Sequence, residues 1–491
     1  MIRVSIVLLI LGVASCTTEN HSSHQNPIQI ENQNPGTTDW LLTNSPTDTC
    51  RIVEPYEEIF LCRSKPIEGY CSATSIKQGE TLEVFVSTDP PSSFTVDIFR
   101  MGYYQGKGGR KMESLGPFNG QTQPVPEDGP NNLKECQWEK SFEIEIPESW
   151  TSGVYLGKMT AEATGLQSYI VFIVKDDRPA DFLFQCSDFT WQAYNRWPEW
   201  RSLYDWVYQG TDNHNPWHVK VGADVSFDRP YAFYMNSLPA GLNPLTNGSG
   251  EFLLWEFPLA FWMESLGYDL TYVSNLDTHQ QGSSGLLRAK GFLSVGHDEY
   301  WTQQMLENVS KARDQGLNLL FLSGNSVFGK IGLQPSNDGV PDRIFGRIEW
   351  FPDEQDLMGA SSYGVGLADW TCVLPEHWIF EGTGMNHGDP IPDLVGWEYH
   401  GFPLGGIEGI QVLAEGSMFE PDSGNLYAAT YYETPKGNFV FNAATCWWSM
   451  LLSTPPGFAY PLNPKGLFTE RAIDFRENDP RVQKMTQNML D

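Results

Sequence analysis

The fold is decided by residues 291–324, which read GFLSVGHDEYWTQQMLENVSKARDQGLNLLFLSG. Residues 291–295 form a short apolar run that is typical of a buried strand, and residues 302–313 carry apolar side chains at helical spacing. Gly316 ends this helix, and residues 317–322 form a second apolar run. The order strand, helix, strand predicts a βαβ unit within a parallel sheet.

The loop after the first strand of this unit, residues 296–301, reads GHDEYW and is rich in polar groups. Parallel sheets place their functional groups in the loops beyond the carboxyl ends of the strands. A His-x-Glu sequence just after a buried strand is costly to retain without a function, although a hydrogen-bonded turn is the structural alternative. His297 and Glu299 are therefore the first candidates for a site.

The chain upstream carries short β-rich runs that nearly alternate between apolar and polar residues, separated by Gly, Pro and Asn clusters. These runs include residues 81–86, 94–99, 142–146 and 169–174. Several such runs without helical spacing between them predict an immunoglobulin-like β-sandwich. We expect this domain to span residues 49–177 and an α/β domain to span residues 178–491, with the boundary in the polar, proline-containing segment 175–179.

Residues 1–16 have the pattern of an export signal. Arg3 supplies a positive flank, residues 4–13 are apolar but too short to span a bilayer, and small residues precede Cys16. The pattern resembles the bacterial lipobox, so we expect an exported lipoprotein that is anchored through Cys16 to a bacterial membrane, in the periplasm or at the cell surface. An uncleaved anchor or an ordinary secretory signal is the alternative. Residues 17–48 are polar and predict a flexible tether.

The overall charge excludes one class of partner. The chain has 61 acidic and 31 basic residues, which give a formal net charge of −30. Such a chain repels phosphate backbones and anionic lipid surfaces. We therefore expect no nucleic-acid partner.

The cysteines allow disulfides but do not indicate zinc. Eight are present, and if Cys16 carries lipid, an odd number remains in an oxidising compartment. Cys50, Cys62 and Cys71 are close enough in sequence for a local bridge. No C-x-x-C pair occurs, so a zinc site of that type is not indicated.

The motifs of the common hydrolases are missing from the sequence. It contains no G-x-S-x-G elbow, no H-E-x-x-H helix, no Walker loop and no Rossmann fingerprint after a strand. The glycine-rich residues 104–110 lie between β-rich runs and are best interpreted as a turn. Cys186 and Cys446 are the candidates for a glutaminase-like nucleophile, but neither lies in a recognisable strand-to-helix elbow.

Several further motifs gain meaning in combination. They are residues 98–104, 190–195, 202–204, 268–269, 277–279, 296–301 and 322–325. Together they resemble the family of the large (beta) subunit of N,N-dimethylformamidase, over roughly residues 65–450. The resemblance implies a β-sandwich joined to an α/β domain like those of class I glutamine amidotransferases, in agreement with the residue patterns.

The resemblance also implies a metal site. In the family's characterised enzyme, two tyrosinates and one glutamate hold a single iron, and a histidine two residues before that glutamate assists the chemistry. Carried over by motif, Glu299 is the carboxylate ligand, His297 the acid or base and Tyr194 the first tyrosine, while Tyr231 is the second tyrosine by order and spacing. Taken alone, each tyrosine is expected in the core. Phenolate and carboxylate oxygens suit Fe(III), so the implied cofactor is mononuclear ferric iron.

These observations favour an iron-dependent amidohydrolase that acts on an amide or related C–N bond. The alternative is a non-catalytic surface protein that binds a glycan or another protein, with a vestigial or structural metal site. The implied partners are a small-molecule amide substrate, a membrane reached only through the lipid anchor, and either a second copy of the chain or a small subunit. Pro198-Glu199 stands where relatives have Gly-Gly, so we expect a reshaped pocket rim.

Overall fold

The structure is a computed structural model that describes residues 25–45, 48–53, 58–198, 201–204, 223–232, 247–419, 424–457 and 478–491. The expected signal peptide, Cys16 and Glu199 lie outside the described residues, as do the side chains of Cys50 and Cys62. None of the helices in the described ranges is long and apolar enough to cross a membrane.

The described backbone is mostly β-structure. Its strands, in chain order, are β1 (Asp48–Val53), β2 (Glu58–Arg63), β3 (Glu68–Cys71), β4 (Ser75–Lys77), β5 (Thr81–Ser87), β6 (Ser93–Met101), β7 (Gly109–Asn119), β8 (Phe142–Glu145), β9 (Gly153–Ala161), β10 (Gln167–Lys175), β11 (Ala180–Cys186), β12 (Asp224–Ser226), β13 (Leu270–Ser274), β14 (Ala289–His297), β15 (Tyr300–Thr302), β16 (Asn318–Gly324), β17 (Gly329–Gln334), β18 (Ile344–Trp350), β19 (Ser361–Val365), β20 (Ala368–Thr371), β21 (Pro390–Val395), β22 (Glu398–Gly401), β23 (Gln411–Ser417), β24 (Leu426–Glu433) and β25 (Phe439–Asn442).

Within the described ranges the helices are few and short. They are α1 (Pro27–Glu31), α2 (Asp188–Tyr194), α3 (Phe257–Leu266), α4 (Asn275–Leu286), α5 (Gln303–Asp314), α6 (Gln355–Met358) and α7 (Pro480–Leu490). A π-helical turn, Phe252–Glu256, leads directly into α3. The chain is thus a β-rich, multidomain protein.

Two sheets in the first half of the chain share an apolar core. One has the strand order β4-β10-β9-β6-β7 and the other the order β3-β5-β8. In β5, Leu82 and Val84 are buried while their neighbours are more exposed, which is the alternation predicted from the sequence. Strand β10 is buried on both faces, because Phe172 lies in the shared core and the adjacent Val171 packs into the core of the larger sheet that follows.

A seven-stranded sheet organises the second half of the chain. Its order is β13-β11-β14-β16-β25-β24-β23, and the first five of these strands run parallel to one another. The predicted βαβ unit is confirmed, because β14 and β16 pair in parallel on either side of α5 in the sequence. Phe292 and Leu293 of β14 belong to different apolar clusters, so the sheet is covered on both faces.

Helix α5 begins where the sequence predicts it. Thr302 is its N-cap, and the Thr302 hydroxyl accepts a hydrogen bond from the Met305 backbone N–H at 3.1 Å. Val309 and Ala312 are buried on the same face as Met305. Just before this helix, β15 belongs to a separate four-stranded sheet with the order β12-β18-β17-β15. The turn of residues 297–299 is therefore held between two sheets.

Residues 25–45, which lie in the predicted flexible tether, are ordered and pack onto the protein. Helix α1 begins with a capping box at Asn26. Ile28 is fully buried, and Trp40 is buried with its indole N–H donating to the Lys107 carbonyl at 3.0 Å. The polar composition predicts disorder, but these two apolar side chains pack into the core of the protein.

The cysteines whose side chains are described are all buried and free: Cys71, Cys136, Cys186, Cys372 and Cys446. Cys71 therefore takes no part in the local bridge that its sequence position allows, and burial raises the pKa of its thiol to about 12. Burial also raises the thiol pKa of Cys186 and Cys446 well above the usual value. A raised thiol pKa is the opposite of what an activated cysteine nucleophile requires.

Candidate metal centre

The chain is tightly packed where β14 ends. Gly296 has a φ of +68°, and a Cβ at this position would lie 2.4 Å from the Trp255 Cβ, so only glycine fits. Asp298 is fully buried and accepts hydrogen bonds from the Gln185 side-chain amide at 2.7 Å and from the Ser294 hydroxyl at 2.8 Å. These contacts fix the middle residue of the His-Asp-Glu turn to the central sheet.

The two residues of the His-x-Glu motif lie together, and a second glutamate joins them. His297 Nε2 is 3.4 Å from Glu299 Oε2 and 2.6 Å from Glu398 Oε2. One potential ligand atom from each of the three lies within 4.8 Å of the others, so within the described ranges they form a group that could hold a metal ion. Neither His297 ring nitrogen makes a hydrogen bond of normal geometry to a described residue. These three side chains converge without forming good hydrogen bonds to one another. A cation bound between them would supply the missing interactions.

Glu398 is a site residue that the motif search missed. It begins β22, and the Asn325 side-chain amide, in the turn after β16, donates to its Oε2 at 3.0 Å. The local signal is the run Trp397-Glu398-Tyr399-His400, in which aromatic and ionisable residues alternate. That run indicates a strand, but its meeting with His297 depends on how β22 packs on β16, which no local pattern shows.

Two tyrosines converge on the Glu299 carboxylate. Tyr194 is the last residue of α2, and its hydroxyl donates to Glu299 Oε2 at 2.6 Å. The Tyr204 hydroxyl lies 2.8 Å from the Tyr194 hydroxyl and 3.1 Å from Glu299 Oε1, and it also bonds to the Tyr300 hydroxyl. The Leu203 backbone N–H donates to the Ala193 carbonyl at 2.9 Å, and this bond holds residues 201–204 next to the end of α2. Two phenol oxygens and one carboxylate thus share a single small volume.

Tyr231, the second tyrosine expected from order and spacing, lines a narrow pocket together with Tyr194. Its hydroxyl is buried without a hydrogen-bond partner among the described residues, and its ring packs edge-on against Trp191 at 6.4 Å. The Arg229 guanidinium holds this segment, because it donates to Gln192 Oε1 at 2.8 Å and to the Trp197 carbonyl at 3.0 Å. The structure therefore places the Tyr204 hydroxyl at Glu299, and Tyr231 as the second metal ligand stays a prediction. The signal for this was present in the sequence, since residues 202–204 belong to the family motifs.

Burial gives the site an unusual charge balance. Burial alone lowers the pKa of His297, but the charges of Glu398 and Glu299 outweigh it and raise this pKa to about 10. Burial also raises the pKa of Glu398. The phenol pKa values of Tyr194 and Tyr204 are raised well above the usual value, first by burial and then by the charge of Glu299. Such phenols lose their protons only beside a strong positive charge.

Aromatic rings surround the imidazole of His297. Its ring centroid lies 5.0 Å from that of Trp397, 5.1 Å from that of Tyr194 and 6.2 Å from that of Trp255. Trp255 and Trp397 are themselves stacked at 5.9 Å. His297 is buried among these rings, and electrostatic interactions are stronger in such an environment than in water.

The turn after β16 is strained, and it supports the centre through the hydrogen bond from Asn325 to Glu398. Asn325 and Val327 have φ values of +50° and +55°, a region that β-branched residues in particular avoid. The Ser326 backbone N–H donates to His400 Nε2 at 2.8 Å, and His400 Nδ1 lies 2.5 Å from Asn442 Oδ1. Burial lowers the pKa of His400 to about 4, so its neutral ring accepts at Nε2 and donates at Nδ1.

The family described as N,N-dimethylformamidase beta subunit-like, C-terminal, matches residues 95–460 of this chain. The chain belongs to this family. The matched residues include both tyrosines at Glu299 as well as His297 and Glu398. Membership in the dimethylformamidase beta subunit-like family confirms the resemblance drawn from the sequence motifs.

Two curated relatives carry the name N,N-dimethylformamidase beta subunit. The protein of Alcaligenes sp is 26% identical over 234 residues, which cover 42% of this chain and 30% of that protein. The protein of Paracoccus aminophilus is 25% identical over 234 residues, with the same coverage of 42% and 30%. The match thus spans less than a third of the length of these relatives. A solved structure of an uncharacterized protein from Bacillus anthracis str. Ames has a TM-score of 0.15 and 14% identity, covering 21% of this chain and 78% of that one.

Proposed function

We propose that this chain is an iron-dependent amidohydrolase that cleaves an amide or related C–N bond in a small molecule. The observation that carries the proposal is the meeting of two phenol oxygens with one carboxylate. The Tyr194 and Tyr204 hydroxyls lie 2.6 Å and 3.1 Å from oxygens of Glu299. Family membership supports the reaction class, because the two curated relatives are named as N,N-dimethylformamidase subunits.

The donor set fits ferric iron. Tyr194, Tyr204 and Glu299 would hold the ion through phenolate and carboxylate oxygens, which are hard donors. A second set, His297, Glu299 and Glu398, shares one of these ligands. We favour the all-oxygen set for a ferric ion, which leaves His297 and Glu398 to handle protons. Bound iron supplies a Lewis acid that polarises the amide carbonyl.

His297 is the proton carrier in this proposal. Its Nε2 lies 2.6 Å from Glu398 and 3.4 Å from Glu299, so it is placed to hold a proton there and to pass it to the nitrogen of the departing amine. Glu398 orients the imidazole, and Asn325 in turn fixes Glu398 at 3.0 Å. In catalytic sites the residue that transfers the proton is commonly oriented by a further side chain, and Glu398 has that position beside His297.

Turnover of paired variants tests this function. Iron-loaded full-length protein is incubated with small amides, and the released amine or ammonia is measured. Glu299→Ala should lose both iron and activity, whereas His297→Ala should keep iron and lose activity by about 100-fold or more. Tyr268→Phe is the control, because the Tyr268 hydroxyl bonds to Asp491, away from the centre. An iron-loaded wild-type protein that releases no amine from any amide contradicts the proposal and favours a non-catalytic surface protein.

We also propose the finer architecture. The paired sheets that share a core support an immunoglobulin-like β-sandwich, and the five parallel strands of the large sheet support an α/β domain like those of class I glutamine amidotransferases. The proposed boundary is the segment between β10, which ends at Lys175, and β11, which begins at Ala180. Limited proteolysis that cuts first in this segment would support the boundary, and first cuts inside β9 or β14 would contradict it.

We propose that the chain is exported, anchored by lipid on Cys16, and works with a second copy or a small subunit. The lipobox pattern supports the anchor. The beta-subunit names of the relatives support a further subunit. Sedimentation of the purified protein, alone and with the products of the neighbouring genes, tests whether a further subunit is needed. A chain that is monomeric and fully active alone contradicts this part of the proposal.

A further inference from the structure

Few residues separate Cys16 from the segment that packs onto the protein. That segment begins at Gln25, so only residues 17–24 lie between the two. An extended chain spans at most about 3.3–3.6 Å per residue, which limits the reach from Cys16 to Gln25 to about 30 Å. A compact chain of 491 residues has a radius of gyration of about 23 Å and hence a diameter of roughly 60 Å. A lipid on Cys16 would therefore keep the surface around Gln25 close to the membrane.

Helix α1 and the end of α3 form one surface at this place. The Asn26 side-chain amide donates to the Gly267 carbonyl at 2.9 Å. Gly267 is the left-handed C-cap of α3, and a Cβ there would lie 2.7 Å from the Gln29 side chain. The two helices are thus packed closely. Together they form the anchor face, which comprises residues 25–34 and 264–268.

The anchor face presents two large aliphatic side chains to solvent. Ile30 is 54% exposed, although its neighbour Ile28 in the same helix is fully buried. Leu266, the last residue of α3, is 49% exposed. Exposed aliphatic side chains of this kind favour burial in the boundary between lipid headgroups and acyl chains.

The charges of the anchor face are neutralised within the protein. Glu31 and Glu264 are the charged residues of the two ranges, and both are buried. Glu31 pairs with Arg110 at 2.8 Å, and Glu264 pairs with Arg100 at 2.9 Å. A chain with a net charge of −30 is repelled by anionic headgroups. A face whose carboxylates are buried and paired can approach them at low electrostatic cost.

The anchor face and the metal centre lie toward opposite ends of the parallel sheet. Strand β13 begins at Leu270, just after the face, and runs parallel to β11, as β14 does. Leu270 pairs with Phe182, which on its other side pairs with Gly291. His297 is six residues beyond Gly291 along β14. At about 3.3 Å per residue, the two levels are roughly 20 Å apart.

We propose that the anchor face rests on the phospholipid bilayer into which the acyl chains on Cys16 insert, with Ile30 and Leu266 in the headgroup region. The metal centre then lies on the side of the sheet that is turned away from the bilayer, so its substrate arrives from the aqueous phase. This contact adds a second membrane interaction to the lipid. The inference rests on the proposed lipid anchor.

Photo-crosslinking to lipid tests this orientation. A photoreactive phenylalanine analogue replaces Ile30, Leu266 or Ile348 in the full-length lipidated protein, which is bound to vesicles of phosphatidylethanolamine and phosphatidylglycerol in equal amounts. Ile348 is the matched control, because it is 51% exposed and lies in β18 opposite the β17 residues that pair with Trp301 and Thr302. The probes at Ile30 and Leu266 should crosslink about tenfold more lipid than the probe at Ile348, because side chains on such a face enter the outer 5–10 Å or so of the bilayer.

Flotation of the vesicles separates this inference from the lipid anchor itself. Wild type should float with the vesicles and Cys16→Ser should not, and a wild type that does not float overturns the anchor and the orientation together. If wild type floats, equal or greater lipid crosslinking from Ile348 overturns the orientation alone. A crosslink from Ile30 to a second copy of the chain in place of lipid also overturns it. Thermal melting checks that each probe leaves the fold intact, and if the probe at Ile30 does not, the comparison of Leu266 with Ile348 decides.

Discussion

Replacing Gly296 with alanine tests how the turn after β14 holds the metal centre. Its φ of +68° costs alanine about 1–2 kcal/mol, because L residues avoid this region. The added Cβ would also lie 2.4 Å from the Trp255 Cβ, and overpacking of that kind costs a further 1–3 kcal/mol, roughly. We therefore expect Gly296→Ala to lower the free energy of unfolding by about 2–5 kcal/mol, to displace Trp255 and to weaken iron binding.

Gly384→Ala is the matched control for this prediction. Gly384 has a similar φ of +71°, but it is exposed and a Cβ there would meet nothing within 4 Å. Gly384→Ala should lower the free energy of unfolding only by the conformational cost of the positive φ, about 1–2 kcal/mol, and the variant should keep its iron. Urea denaturation of both variants, followed by iron analysis, separates the two effects. Equal destabilisation by the two substitutions would refute the argument that Trp255 closes tightly over the turn.

Three further predictions concern other parts of the chain. Glu398→Gln should keep iron but lower kcat by about 100-fold, because His297 loses the carboxylate at 2.6 Å; loss of iron instead would make Glu398 a ligand. Arg100→Met should lower the free energy of unfolding by about 3–5 kcal/mol in urea, because it leaves Glu264 uncompensated in an ion pair that is fully buried at 2.9 Å; a change below about 1 kcal/mol would contradict this. Cys16→Ser should move the protein from the membrane pellet to the soluble fraction, and unchanged pelleting would contradict the lipid anchor.

The parts of the site that the sequence predicts are those fixed by local structure. His297 and Glu299 follow a strand whose apolar run and following helix are both visible in the sequence, and β14 and β16 pair as expected. Tyr194 was found because it matches a family motif, and the structure places it at the end of α2 with its hydroxyl against Glu299.

The parts that the sequence does not predict depend on long-range packing. Glu398 reaches His297 only because β22 packs on β16, and the spacing along the chain says nothing of that contact. Order and spacing indicated Tyr231 as the second tyrosine, which stays a prediction. The approach of Tyr204 to Glu299 was not predicted, because it depends on a backbone hydrogen bond from Leu203 to Ala193 that holds Tyr204 near the end of α2. Similarly, the polar composition of residues 25–45 did not predict that Trp40 packs into the core.

The most direct test of the central claim compares Tyr204→Phe with Tyr231→Phe in iron-loaded protein. The measured quantities are the iron content per chain and the visible charge-transfer band from tyrosinate to iron. We expect about one iron per chain in the wild type, a weakened or lost band in Tyr204→Phe, and an unchanged band in Tyr231→Phe, because the Tyr204 hydroxyl and not that of Tyr231 lies on Glu299. A wild-type protein that binds no iron, or a band that is lost in Tyr231→Phe and kept in Tyr204→Phe, would contradict the account.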